Sequence, residues 1–271
     1  MTKTIFENFT EPLDTRWIQT CTGGGKINLE NTILRMAFDS ARQGMYTDAQ
    51  IDDYGNLKRS NFPWRPPLRL NVVARSSLPA ANLRNYGKGI STLQGTAGFG
   101  FWNYPFSLKG DRLMLPEAVW FFYASQPSNM ALVPRIPGWG WKAQVVHSMQ
   151  VRSLASSVPL AATIALGVLS GNTRSAARWM QKVSGASEAL LPVAMDEWHT
   201  YTLEWQRNKA LFWVDDKLLL RAPQPPSRPL GFITWLDNQY AIATPRGSLR
   251  FGTVTSGPQW LELESIKIEP L

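Results

Sequence analysis

The chain has 271 residues, 44% of them hydrophobic, and a formal net charge of +8. That length allows two domains but is also common for one large β-sandwich, and the apolar share is enough for a core. The only cysteine, Cys21, excludes an internal disulfide, and Met1 to Glu7 lacks the apolar run of a secretory leader, so a reducing, cytoplasmic setting is expected.

Residues 4–75 read as strands. Gly23-Gly24-Gly25 predicts a hairpin-type break between Trp17–Thr20 and Lys26–Leu29. It is not a phosphate loop, because no strand–helix context follows. Thr32–Phe38 alternates. In Gly44–Ile51, Met45, Thr47 and Ala49 oppose Tyr46, Asp48 and Gln50. Asp52-Asp53-Tyr54-Gly55-Asn56 predicts a polar turn with too few spaced oxygens for a calcium loop. Leu68–Arg75, Gly95–Trp102, Glu117–Ser125 and Ala143–Val151 are predicted strands, with a loop carrying Trp139 and Trp141 before the last.

Residues 152–192 break this pattern. Ser157 and Thr173 are candidate N-caps and Gly171 and Gly185 candidate stops, which predicts a helical hairpin inserted between strands. Arg174, Arg178 and Lys182 recur at four-residue spacing and would form one basic stripe. The apolar core of the first helix, Leu160–Leu169, is far short of the roughly 20 residues a spanning helix needs, so the expectation is a lid or an interfacial helix. No Asp or Glu lies between Glu117 and Glu188. The six basic residues there account for most of the excess charge, since 28 Lys and Arg less these six leaves 22 against 20 acids. A one-sign region fits an anionic neighbour such as a membrane surface, or simply a solvated basic face.

Trp198–Leu220 carries the clearest pattern. His199, Tyr201, Leu203 and Trp205 fall on one face of a strand and Thr200, Thr202 and Glu204 on the other. Arg207-Asn208-Lys209 turns the chain, Ala210–Val214 returns it, and Asp215-Asp216 turns it again into Leu218-Leu219-Leu220. An antiparallel meander of this kind needs a second sheet over its apolar face. Gly231–Tyr240, Arg250–Val254 and Gln259–Ile268 supply the last strands.

Trp198-His199-Thr200-Tyr201 with Glu204-Trp205 and Val214-Asp215-Asp216 resembles the pattern of the concanavalin A-like fold, and especially glycoside hydrolase family sixteen. Phe6-Glu7-Asn8-Phe9, Leu13–Trp17 and Trp260–Ile268 are similar to the end strands of such sandwiches. The resemblance implies an all-β jelly roll, here a single domain over 1–271 with the helical insertion at about 152–192. It also implies glycosidic hydrolysis by carboxylates spaced Glu-x-Asp-x-Glu on one strand of the concave face. The corresponding strand is Glu117–Ser125. Glu117 stands where the first acid would, but Val119 and Phe121 follow at the next two positions, and Trp120 and Phe122 offer no acid in the other register.

The expectation is therefore a non-hydrolytic relative with an aromatic cleft that binds a carbohydrate or an apolar organic molecule. Candidate ligand-binding residues are Trp102, Tyr104, Phe121, Tyr123, Trp139, Trp141, Trp235, Asn238, Gln239 and Tyr240. An alternative is a cyclase or isomerase with Asp237 or Glu117 as its proton relay. A third is a peripheral membrane protein docking through Arg174, Arg178 and Lys182. His147 and His199 are the only histidines, and with Cys21 they make neither a zinc site nor a triad. No metal, cofactor or nucleic-acid motif is present, and the oligomeric state is left open.

Overall fold

The computed structural model describes residues 4–10, 12–82, 87–105, 116–130, 132–133, 135–148, 184–243 and 249–271. They form strands β1 (Ile5–Glu7), β2 (Ile18–Thr22), β3 (Lys26–Glu30), β4 (Ile33–Phe38), β5 (Asp48–Asp52), β6 (Leu68–Ser76), β7 (Thr96–Trp102), β8 (Ala118–Ala124) and β9 (Gly140–Ser148). The chain continues with β10 (Ser184–Leu190), β11 (His199–Trp205), β12 (Lys209–Val214), β13 (Lys217–Pro223), β14 (Gly231–Asp237), β15 (Gln239–Ala243), β16 (Leu249–Thr253) and β17 (Gln259–Pro270).

Two antiparallel sheets pack face to face. The first runs β13-β12-β11-β6-β17-β4-β3 with β1 also on β17, and the second runs β10-β9-β8-β7-β14-β5-β2. β15 and β16 form a separate two-stranded ribbon. The predicted meander is present as β11–β13, with Tyr201, Leu203 and Trp205 turned into the core. The indole of Trp205 is buried and donates to the Pro226 carbonyl at 2.8 Å, so its one polar atom is satisfied. Asp215 and Asp216 both take positive φ, 47° and 64°, as the tight turn requires. β6 alternates throughout, with Leu68, Leu70, Val72 and Ala74 buried against the second sheet.

The outer face of the first sheet is held by charge. Glu262 is buried and accepts from Arg35 and Arg75, and Arg75 also lies 4.7 Å from the Trp198 ring centroid.

Several expectations are corrected. Gly23–Gly25 does not close a hairpin: β2 is an edge of one sheet and β3 an edge of the other, so the chain crosses between layers there. The glycines are needed because backbone passes close by. A Cβ on Gly25 would sit 1.8 Å from the Asp48 carbonyl oxygen. Gly25→Ala is expected to cost about 1–3 kcal/mol through overpacking, read as a lowered urea midpoint.

Of the predicted helical insertion, Ser184–Leu190 is instead β10, paired along its length with β9, from Ser184↔Ser148 to Leu190↔Lys142. Residues 152–183 of that segment, with Arg174, Arg178 and Lys182, lie outside the described residues. No helix among the described residues is long and apolar enough to cross a membrane.

The expected strand over 231–240 breaks at Asn238. β14 ends at Asp237, and Gln239 and Tyr240 begin the separate ribbon. Trp141 is part of β9 rather than a loop, and it is buried between Phe99, Phe121 and Tyr201.

Candidate functional site

The two faces of the second sheet carry different chemistry, and register decides which residues share each. Trp120 pairs with Gly100 on one side and Gln144 on the other, while Phe122 pairs with Gly98 and Lys142. Gly98 pairs with Trp235, which pairs with Gln50; Asp237 pairs with Thr96 and with Asp48. The outer face therefore reads, across the strands, Glu188–Gln144–Trp120–Gly100–Ile233–Asp52 in one row. The next row is Lys142–Phe122–Gly98–Trp235–Gln50, and the one beyond it Thr96–Asp237–Asp48.

Aromatic rings pave the middle. Trp120 stacks on Phe122 at 5.2 Å and on Trp102 at 5.9 Å, and meets Trp235 at 5.3 Å. The paving continues through Tyr104, 5.4 Å from Trp102, to Tyr54 and Phe62. Trp102, Tyr104, Trp120 and Phe122 keep part of their surface exposed. Two glycines make this possible. A Cβ on Gly98 would reach 2.9 Å from the Trp235 ring, and one on Gly100 would sit 2.6 Å from the Trp120 Cα.

Polar groups flank the rings on both sides. Toward β10, the Trp120 indole donates to Gln144 Oε1 at 2.6 Å, Gln144 Nε2 donates to Glu188, and Lys142 Nζ lies 3.2 Å from Glu188 Oε2. Burial pulls the Lys142 ammonium below its usual range, and Glu188 opposes that shift. Toward β5, the Trp235 indole donates to Thr96 Oγ1 at 2.9 Å, and that hydroxyl donates to Asp237 Oδ1 at 2.8 Å. The backbone N–H groups of Thr96 and Gln239 also donate to Asp237 Oδ1.

Burial raises Asp237 to about 6 against these hydrogen bonds. Asp48, its cross-strand neighbour, is raised further, to about 8, by burial and then by the Asp237 charge, with a Tyr46 hydrogen bond opposing. Its Oδ1 has no hydrogen-bond partner. Near neutrality the coupled pair thus shares one proton and one negative charge. The Tyr46 ring is exposed, but its hydroxyl is pushed well up by burial and then by Asp237 and Asp48.

The expected site residues divide. Trp102, Tyr104, Trp235 and Asp237 share this outer face. Phe121, Tyr123 and Trp141 do not: all three point into the core, and the Tyr123 hydroxyl donates to the Leu93 carbonyl at 2.6 Å. Asn238 is fully buried and pins the loop before β5, accepting from Thr47 N and donating to the carbonyls of Met45 and Val254. Tyr240 packs against Gly252 in the ribbon, Gln239 is exposed there, and Trp139 is half-buried on the loop before β9.

Glu117 is buried at the start of β8, off the aromatic rows. Burial raises its carboxyl, the charge of Arg228 opposes, and Oε2 has no hydrogen-bond partner. Trp120, Phe122, Asp48 and Tyr46 were not singled out from the sequence as ligand contacts. For Asp48 and Tyr46 the alternation of Gly44–Ile51 was the available signal, since it places them on one face with Gln50. Among the described residues no group of three or more His, Cys, Asp or Glu is placed to hold a metal.

No protein-family model matches the chain, and no curated protein matches it in sequence. Solved structures do. A glycosidic hydrolase is similar at a TM-score of 0.54 and 12% identity, covering 100% of this chain and 97% of that one. The chain shares the two-sheet antiparallel β-sandwich fold of these structures. A Bacillus licheniformis β-glucanase is similar at a TM-score of 0.52 and 13% identity, with 99% and 98% covered. An endo-acting O-glycanase of the human gut microbiota is similar at 0.51 and 12%, with 98% of each chain covered. At these identities the likeness is one of architecture.

Proposed function

We propose that the chain binds a carbohydrate or similar ring-bearing ligand on the outer face of the second sheet, without the hydrolytic machinery its fold relatives carry on one strand. One observation carries this reading. The positions of β8 that face outward are Ala118, Trp120, Phe122 and Ala124, so the strand expected to present acids presents rings. The solved relatives include a β-glucanase and an O-glycanase, which supports a carbohydrate-type partner. Flat aromatic surface with polar groups at its borders suits a sugar, whose C–H face packs on indole while its hydroxyls hydrogen-bond at the rim.

Intrinsic tryptophan fluorescence tests this. Neutral oligosaccharides should change the emission saturably. Trp120→Ala should weaken binding at least tenfold, or about 1.4 kcal/mol, while Asp237→Asn leaves the affinity for a neutral ligand in place. The Asp48–Asp237 pair also favours a second reading, acid–base chemistry on the bound molecule, because it sets a proton donor beside a carboxylate. Turnover of a bound ligand that disappears in Asp237→Asn would replace the binding reading with that one.

A further inference from the structure

The chain carries eight more positive than negative charges, yet among the described residues the carboxyls on the β5 side of its aromatic paving have no ion-pair partner. Two other buried strand acids do have cations: Glu262 pairs with Arg35 and Arg75, and Glu188 with Lys142. Among the described residues, Asp48, Asp52 and Asp237 make no ion pair. All three are buried, and all three lie on the outer face of β5 and β14.

The groups around them are settled. Asp52 is satisfied locally, accepting from Gln50 Nε2 and from the N–H groups of Tyr54 and Gly55, which makes it the predicted turn. Asp237 Oδ1 is held by Thr96 and Gln239. The charges and hydroxyls that bear on Asp48 are Asp237, Asp52 and Tyr46, and no Lys or Arg is among them. Asp48 is 2% exposed and its Oδ1 has no partner. A buried carboxyl oxygen with nothing to bond is costly unless a donor reaches it.

Resting on the binding reading above, we infer that the preferred ligand is an amine-bearing saccharide, whose ammonium sits between Asp48 and Asp237 while its ring packs on Trp235 and Trp120. The ammonium supplies the three donors and the positive charge that the pair lacks. The indoles beside it add cation–π attraction. Trp235 is two residues from Asp237 on the same face, so a ring on the indole places a substituent at the carboxyls. In the free protein the Asp48–Asp237 pair holds a proton, and an incoming ammonium takes its place while the ligand's amine is itself protonated. One proton is released to solvent per ligand bound, and no covalent bond is made or broken.

Calorimetry with a glucosamine tetramer and its fully N-acetylated form tests this. The amine form should bind at least tenfold more tightly at acidic pH, where its amines are protonated, and over that range its affinity should rise with pH. The observed heat should change with the ionisation enthalpy of the buffer, reporting proton release. In Asp48→Asn the amine form should bind no more tightly than the acetylated one. Asp237→Asn, checked for folding by circular dichroism, should do the same. Equal affinity for the two tetramers, or no buffer dependence, overturns the inference and leaves the proposed function standing. Failure of both tetramers to bind at millimolar concentration overturns both readings.

Discussion

Glu188→Ala is expected to lower the free energy of unfolding by about 3–5 kcal/mol, the range for breaking a buried ion pair from one side. Its side chain has no exposed surface and that of Lys142 is 3% exposed, so neither charge has water to fall back on. Removing the carboxylate strands the Lys142 ammonium and also takes the acceptor from Gln144 Nε2. The cost should appear as a lower urea midpoint at unchanged slope. In a melt, each kcal/mol moves Tm by about 2–4 °C for a domain approaching this size.

The control is Lys142→Met combined with Glu188→Leu, which removes both charges and should recover most of the loss. Function should follow, since Glu188 holds Gln144 and Gln144 holds the Trp120 indole. Ligand affinity should therefore fall in Glu188→Ala even where the protein remains folded. A single variant as stable as the wild type would mean that Lys142 finds another partner, and that the row is not the support described.

Asp48→Asn is expected to do the opposite, stabilising the protein at alkaline pH. The Asp48 carboxyl titrates at about 8 in the fold, whereas an unfolded aspartate titrates near 4. Between those values the folded state holds a proton that the unfolded state has lost, so stability falls as pH rises. The slope for one such group is at most about 1.4 kcal/mol per pH unit. Asparagine has no proton to lose and still offers polar atoms to Tyr46. At pH 8 the variant should be more stable than the wild type by about 1–3 kcal/mol, and near pH 4 the two should nearly coincide.

Some slope remains in the variant because Asp53, raised to about 7 by burial despite its bonds from Trp64 and Phe232, and Asp237, raised to about 6, titrate by the same logic. Melts at pH 4, 6 and 8 decide the matter, and a variant less stable than the wild type at pH 8 would sink the account of the pair.

These two flanks show what could be read in advance and what could not. Trp120, Phe121, Phe122 and Tyr123 run consecutively on β8, so alternation sorts them into two sets without saying which set faces out. Both sets are aromatic, because the strand has a core beneath it and a second aromatic cluster above it. Taking Phe121 and Tyr123 as ligand contacts was the wrong choice between two equal patterns. Asp237 was legible as a polar residue near the end of a strand. Its partner Asp48 was not, since nothing local relates β5 to β14.

Asn238 illustrates a different limit. A buried amide that bonds two loop segments looks, in sequence, the same as an amide that faces a ligand.

What the sequence determined by itself was the class of fold. Period-two alternation, the Asp215-Asp216 turn and the spacing of apolar runs are short-range features, and they act before any sheet is assembled. Tertiary structure alone decided the face. Pairing β5 with β14 and β14 with β7 brought Asp48, Asp237, Thr96 and Trp235 together from distant parts of the chain. Burial then gave the two carboxyls their unlike proton affinities, because a charge taken out of water depends on its neighbours rather than on its position in the chain.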